Sequence, residues 1–570
     1  MNDLDNPDQA DIPAAGNPVT PPETAPVALP FVPVSSFAFR VPVATDPILD
    51  GLVPSADAPQ RGMWLAPMNW PLLAIHASLL PDGRVVSFGT PNGGTSQSGR
   101  IFDIWDPTSG TGRAAHWQSP NAVGVDSFCA SAAWIGAGRL MVAGGNVDRA
   151  TSVLEVGSNT STNAASLSAG RWYGTMITLA DGRALMVGGG NAYADSGFKN
   201  PSAYLNADGG SDIIAMTPEV YSPGSGWTKL SGATSREAFG PDENRYWYPR
   251  AWVAPDGRVV GLSGQTLWRL DPNADAGHGG LEVTGRFKSP VNEQTRPNVG
   301  VTSSAVMFDT GRVLQTGGNG YRNGDASDAD ISFFYRTSSS RQATILEFGH
   351  GSWPTVNETS PMIHARQWHN ATVLANGKVL VSGGTRFANY GGDAAVRNGE
   401  IWSPETGQWQ EVGAASRIRV YHSTALLMPN GTVLTAGGGQ TGPVNNLDAE
   451  VFVPPSMFSR DADGTVRLAE RPVIEAVTAM APHYGERMQI KLDKAWPIAS
   501  VALNGTGNVT HGFDTGQRRL SLAFHQLDDV LEIELPESGS LAPPGYYMLT
   551  VLLANGVGSR SVIIRLGLDA

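Results

Sequence analysis

One cysteine, one tyrosine and one histidine of this chain occupy the same place in a repeating phrase. Cys129, Tyr173 and His422 each lie nine residues before a turn glycine, at Gly138, Gly182 and Gly431. Cys129 is the only cysteine, so an internal disulfide is excluded. A soft thiolate, a phenol and an imidazole brought together by one repeat position look like a metal site. Nitrogen with phenolate oxygen in a tetragonal shell suits copper(II).

The phrase occurs seven times. Each copy has a run of small and β-branched residues, a turn reading Asp-Gly-Arg or a variant, a second apolar run and usually Gly-Gly. The copies end at Gly89, Gly145, Gly189, Gly264, Gly318, Gly384 and Gly438. Turn residues that accept positive φ between two strand-like runs predict a hairpin in every copy. Seven hairpins at irregular spacing predict an all-β chain built on a seven-bladed β-propeller of kelch type. A propeller arranges equivalent positions in a ring about one axis. Counted back nine residues from each turn glycine, the ring is Ala74, Cys129, Tyr173, Tyr248, Thr302, Trp368 and His422, near the start of the strand that lines the channel.

The 570 residues can hold two or three domains. With 68 glycines, 40 prolines and only 16% charged residues, the composition is that of turn-rich β structure. A net charge of −13 without a basic patch argues against nucleic acid. The absence of a long apolar run argues against a transmembrane segment. The N-terminus, MNDLDNPDQADIPAAG, is acidic and proline-broken and reads as no signal peptide.

Residues 1–61 read as a Pro/Ala-rich tail or linker, and 62–458 as the propeller carrying the metal site. Residues 459–570 read as an immunoglobulin-like (E-set) β-sandwich, because seven short alternating segments run from VIEAVTAM to RSVIIRL. The one long polar loop of that module, GTGNVTHGFDTGQRR (505–519), contains His511.

The motifs DSFCASAAW, RWYGTMITLADGR, RVYHSTALLMPNGTVLTAGGG with NLDAEVF after it, NVTHGFDTGQRR and PPGYYMLTVL resemble the copper radical oxidases, the galactose oxidase and glyoxal oxidase group. The resemblance runs from about residue 62 to the C-terminus. It implies one copper ion, a self-made Cys129–Tyr173 thioether, and Tyr173 as radical site and equatorial ligand. It further implies His422 and His511 as imidazole ligands and Tyr421 as axial phenol and base. His511 would reach the propeller channel on the polar loop of the sandwich.

Such a centre oxidises a primary alcohol or an aldehyde hydrate with O2, giving aldehyde or acid plus hydrogen peroxide. Glyoxal oxidase-like activity on small aldehydes is favoured, because features specific to galactose are missing or displaced. A galactose oxidase-like alcohol or carbohydrate oxidase is the nearer alternative, and a non-catalytic propeller binding a glycan or protein the more distant one. The resemblance suggests a secreted or cell-envelope protein, while the lack of a leader keeps the cytoplasm open. Oligomeric state is not legible.

Where galactose oxidase has a tryptophan over its crosslinked tyrosine, this chain has Asn191, with Tyr193 two residues on. Tyr193, Trp247 and Trp353 are therefore the alternatives for shielding the radical, and Trp368 for walling the channel. Arg296 lies two residues out of register with the sugar-binding arginine of galactose oxidase and reads more simply as a surface residue. His76, His364 and His369 read as hydrogen-bonded core or channel residues.

Overall fold

The structure, a computed structural model, describes residues 37–568 except 42–45, 92–95, 193–203, 287–299, 301, 319–338, 350, 352, 388–390 and 440–443. The repeated phrase folds as its turn residues require. Trp172–Thr178 runs antiparallel to Ala184–Gly190 across a turn where Gly182 has φ +84°, a conformation open to glycine. Glu219–Ser222 and Gly226–Lys229 extend this pair into a four-stranded sheet. Sheets of the same strand order start from His76–Leu79, Ala130–Gly136, Arg250–Val253, Ser304–Asp309, Gln367–Val373 and Ser423–Leu427. The array of small antiparallel sheets is that of a β-propeller. The sheet starting at Ser423–Leu427 takes its outer edge from the other end of the chain, because Met63–Trp64 pairs with Asp448–Val453.

The Gly-Gly pairs exist because neighbouring sheets meet there backbone to backbone. A Cβ on Gly383 (φ +70°) would stand 2.5 Å from the Arg419 carbonyl oxygen, and the Gly384 N–H donates to that oxygen at 2.6 Å. Buried arginines repeat beside these junctions. Arg366 donates to the Gly383 carbonyl at 2.8 Å and to Glu400 at 2.7 Å, with both side chains fully buried. Arg171 does the same with the Gly188 carbonyl and Glu219. A buried guanidinium requires such partners, since an unpaired charge in the interior is costly.

From Ile474 onward two sheets face each other over a core that includes Val501, Leu503, Leu531, Leu549 and Ile564. One sheet contains Ile474–Val477, Arg487–Leu492, Val530–Glu534 and Phe524–Leu527; the other contains Ile498–Gly505, Phe513–Leu522, Gly545–Leu553 and Val562–Leu566. This is the immunoglobulin-like module expected from the alternating segments. The segment read as a tail has structure of its own where it is described: Phe39–Arg40 adds a strand beside Ile474–Val477, and Ala58 in the short helix Ala58–Arg61 is buried.

The polar stretch around His511 is a hairpin rather than a loop. Asn508–Thr510 pairs antiparallel with His76–Leu79, and Phe513–Leu522 lies parallel to Ser304–Asp309. Its polarity is used against the channel wall. Asn508 donates to the Ala132 carbonyl at 2.5 Å, Ser304 donates to the Gly512 carbonyl at 2.6 Å, and Gln517 accepts from the Val373 N–H at 2.9 Å.

Asp514 holds the hairpin turn by accepting from the Asn508, Gly516 and Gln517 N–H groups. Burial nonetheless raises its carboxyl from 3.8 to about 6. The folded chain therefore keeps a proton that the unfolded chain has already released. The stability this proton confers is full below about pH 4 and is lost as pH rises through about 6, an effect on the order of 3 kcal/mol. Asp514→Asn is expected to remove that dependence, read as the difference in urea unfolding between pH 4 and pH 7 for variant and wild type.

Candidate metal centre

Five of the seven aligned positions share an unusual backbone. Cys129, Tyr173, Tyr248, Trp368 and His422 have φ of 61°, 62°, 39°, 58° and 68°. Left-handed conformations are uncommon for such residues and cost energy, so the surroundings must hold them. Backbone bonds do part of this: the Tyr173 N–H donates to the Cys129 carbonyl at 3.2 Å, Tyr248 to Tyr173 at 2.7 Å, and Trp368 to Thr302 at 2.8 Å. One conformation repeated at one position turns successive side chains toward the same region. His511, at the tip of the hairpin, has φ 50°.

The side chains converge. The Cys129 Sγ lies 3.9 Å from His422 Nε2 and 3.7 Å from His511 Nε2, and the three ligand atoms lie within 4.8 Å of one another. The hydroxyls of Tyr173 and Tyr421 are in hydrogen-bond contact. The His511 ring stands 5.0 Å from the Tyr173 ring and 4.7 Å from the His422 ring, edge-on to each. Cys129 and Tyr173 belong to one buried cluster with Ile75, Phe128 and Tyr248.

The imidazoles are oriented by their other nitrogens. His422 Nδ1 bonds the Gly439 carbonyl at 2.8 Å, which requires a proton on Nδ1 and leaves Nε2 with its lone pair. His511 Nδ1 meets Thr510 Oγ1 at 2.6 Å. Fixing one ring nitrogen so that the other can bind metal is the usual arrangement around ligating histidines.

Electrostatics points the same way. Burial, and after it the nearness of His422, His76 and Arg250, holds His511 well below its ordinary value, so it stays neutral. Burial pushes the Cys129 thiol and the Tyr421 phenol well above theirs. The neutral His511, the His422 imidazole and two phenols facing one corner fit a cation that would itself favour phenolate.

Rings surround the two phenols. Trp172 lies 3.8 Å from the Tyr173 ring, Trp247 lies 5.3 Å from it, and the two indoles meet edge-on at 6.3 Å. Trp368 packs against Tyr421 at 4.5 Å. Trp247 and Trp368 are thus brought to the centre. Trp353 is not: it is half-exposed with the Arg269 guanidinium over its face, and Arg269 in turn binds Asp256 at the far turn of the strand Arg250–Val253. Tyr193 and Arg296 lie outside the described residues.

Sequence reasoning assigns no role to two further aromatics of the centre. Trp172 is the middle residue of the RWY motif, and Tyr248 is at an aligned position, which was the signal for it. His76 stacks on Phe88 at 4.2 Å, His369 bonds Thr316 at 2.9 Å and His364 bonds Glu411 at 2.8 Å.

The chain as a whole is similar to known proteins. Residues 471–566 match the model of the galactose oxidase-like, Early set domain. Over 536 residues the chain is 28% identical to a Gibberella zeae protein named galactose oxidase, covering 90% of this chain and 71% of that one. It is 25% identical over 437 residues to an Arabidopsis thaliana protein named aldehyde oxidase GLOX1, covering 69% and 63%. A solved structure described as a novel fungal alcohol oxidase of the AA5 family in complex with copper superposes with a TM-score of 0.74 at 22% identity, over 89% of this chain and 100% of that one. That last likeness is one of fold.

Proposed function

We propose that this chain, which belongs to the copper radical oxidase family, oxidises a primary alcohol or a hydrated aldehyde with dioxygen and releases hydrogen peroxide. The observation that carries the reading is the convergence of Cys129 Sγ, His422 Nε2 and His511 Nε2 beside the touching hydroxyls of Tyr173 and Tyr421. A propeller that only bound a glycan or protein would have no use for that donor set.

His422, His511, Tyr173 and Tyr421 would hold copper. Copper supplies a Lewis acid and one of the two electron-accepting places the oxidation needs, the other being the phenol of Tyr173. A thioether from Cys129 to the Tyr173 ring makes that phenol easier to oxidise. Tyr421 takes the proton of the substrate hydroxyl. Tyr173, as a radical, takes the hydrogen from the adjacent carbon. Trp172 and Trp247 cover the Tyr173 ring against solvent. Small hydrated aldehydes are the favoured substrates over galactose, since Asn191 stands where galactose oxidase carries its stacking tryptophan.

Copper loading in air tests the reading. The intact mass of the denatured chain should fall by two hydrogens. Peroxide should then appear with one or more of methylglyoxal, glyoxal, glycolaldehyde, glycerol and galactose. An unchanged mass together with no peroxide would sink it.

A further inference from the structure

We propose that Tyr248 is a positioning residue that holds the imidazole plane of His511, an inference that rests on the metal-site reading above. His511 is the one member of the donor set that comes from the C-terminal module. Its bond to Thr510 fixes the Nδ1 end of the ring and leaves rotation about that bond to be set by whatever lies on the ring face. Tyr248 lies there, with its ring centroid 4.5 Å from that of His511 and the planes 32° apart.

Tyr248 is itself over-determined. Its N–H donates to the Tyr173 carbonyl at 2.7 Å, and its hydroxyl donates to the carbonyl of Ala130, next to Cys129, at 3.1 Å. Its ring edge meets the Tyr173 ring at 4.9 Å and 71°. It is 3% exposed and has φ 39°, a strained value for tyrosine. A residue that merely filled space would need neither the strain nor the hydroxyl anchor. Tyr248 thus ties the strand of Cys129 and the backbone of Tyr173 to the face of a ring delivered from another module. Burial keeps its phenol neutral, so it acts as a fixed wall and hydrogen-bond donor.

The test uses the full chain, with copper affinity measured by chelator competition and the nitrogen hyperfine pattern measured by electron paramagnetic resonance. Tyr248→Leu should weaken copper binding by roughly 10- to 100-fold, the usual effect of losing a residue that orients a ligand, and alter the hyperfine pattern. Tyr248→Phe, which keeps the ring but gives up the hydroxyl's bond to the Ala130 carbonyl, should recover most of the affinity and fall between the Leu variant and wild type in both measurements. If Tyr248→Leu does not fold, Tyr248→Met, which fills the volume without a ring, carries the same expectation. Wild-type affinity and spectrum in the Leu or Met variant, with His511→Ala impaired, would overturn the role of Tyr248 and leave the metal centre standing. A Phe variant as impaired as Leu would also overturn it. Wild type and His511→Ala binding copper alike would instead remove the metal-site reading itself.

Discussion

Cys129→Ser should yield a folded chain whose mass no longer changes on exposure to copper and air, and whose kcat/KM falls by roughly 10³ or more, a loss of about 4 kcal/mol in transition-state stabilisation. The thiol is fully buried and raised well above its ordinary pKa, so without a metal it behaves as a small apolar group. Serine fills nearly the same space but cannot form the sulfur link to Tyr173. The imidazoles and the Tyr421 phenol remain, so copper should still bind. On the proposed mechanism, what would be lost is the lowered oxidation potential that the sulfur link gives the Tyr173 phenol, on which hydrogen abstraction would depend. The measurements are intact mass after loading and steady-state peroxide production. Wild-type turnover in this variant would show that the sulfur plays no part in the reaction.

Tyr421→Phe should retain the crosslink and copper while losing roughly 10²- to 10⁴-fold in kcat, the range for removing a positioned general base. Its hydroxyl touches that of Tyr173, and burial, followed by the neighbouring Cys129, raises its pKa. The phenol is therefore protonated until a cation in the corner makes phenolate favourable. Proton transfer belongs to the transition state, so the loss should fall on kcat and kcat/KM together with KM little changed. A loss confined to KM would reassign Tyr421 to substrate binding.

Much of the centre was legible because a repeat makes spacing equivalent to position. Nine residues before a turn glycine meant the same backbone conformation for Cys129, Tyr173 and His422, and the structure shows the left-handed φ they share. Tyr248 obeys the same rule and stands in the ring read from the sequence, but without a role, because a lone tyrosine carries no chemical signature until its neighbours are known. Trp353 failed for a different reason. A loop tryptophan can lie at either end of a sheet, and sequence does not say which; Trp353 sits by the Asp256 turn, away from the two phenols. The stretch around His511 reads as a loop because its residues are polar. Its partners are strands hundreds of residues earlier, such as His76–Leu79, and a pairing of that range leaves no local periodicity.

The hairpin that carries His511 has a consequence in time. A ribosome makes the chain from its N-terminus, so the sulfur, both phenols and His422 are all synthesised before the second imidazole exists. On the proposed reading, a nascent propeller would therefore lack one imidazole of the copper site until the sandwich has been made and its hairpin has docked, and copper chemistry would wait for that step.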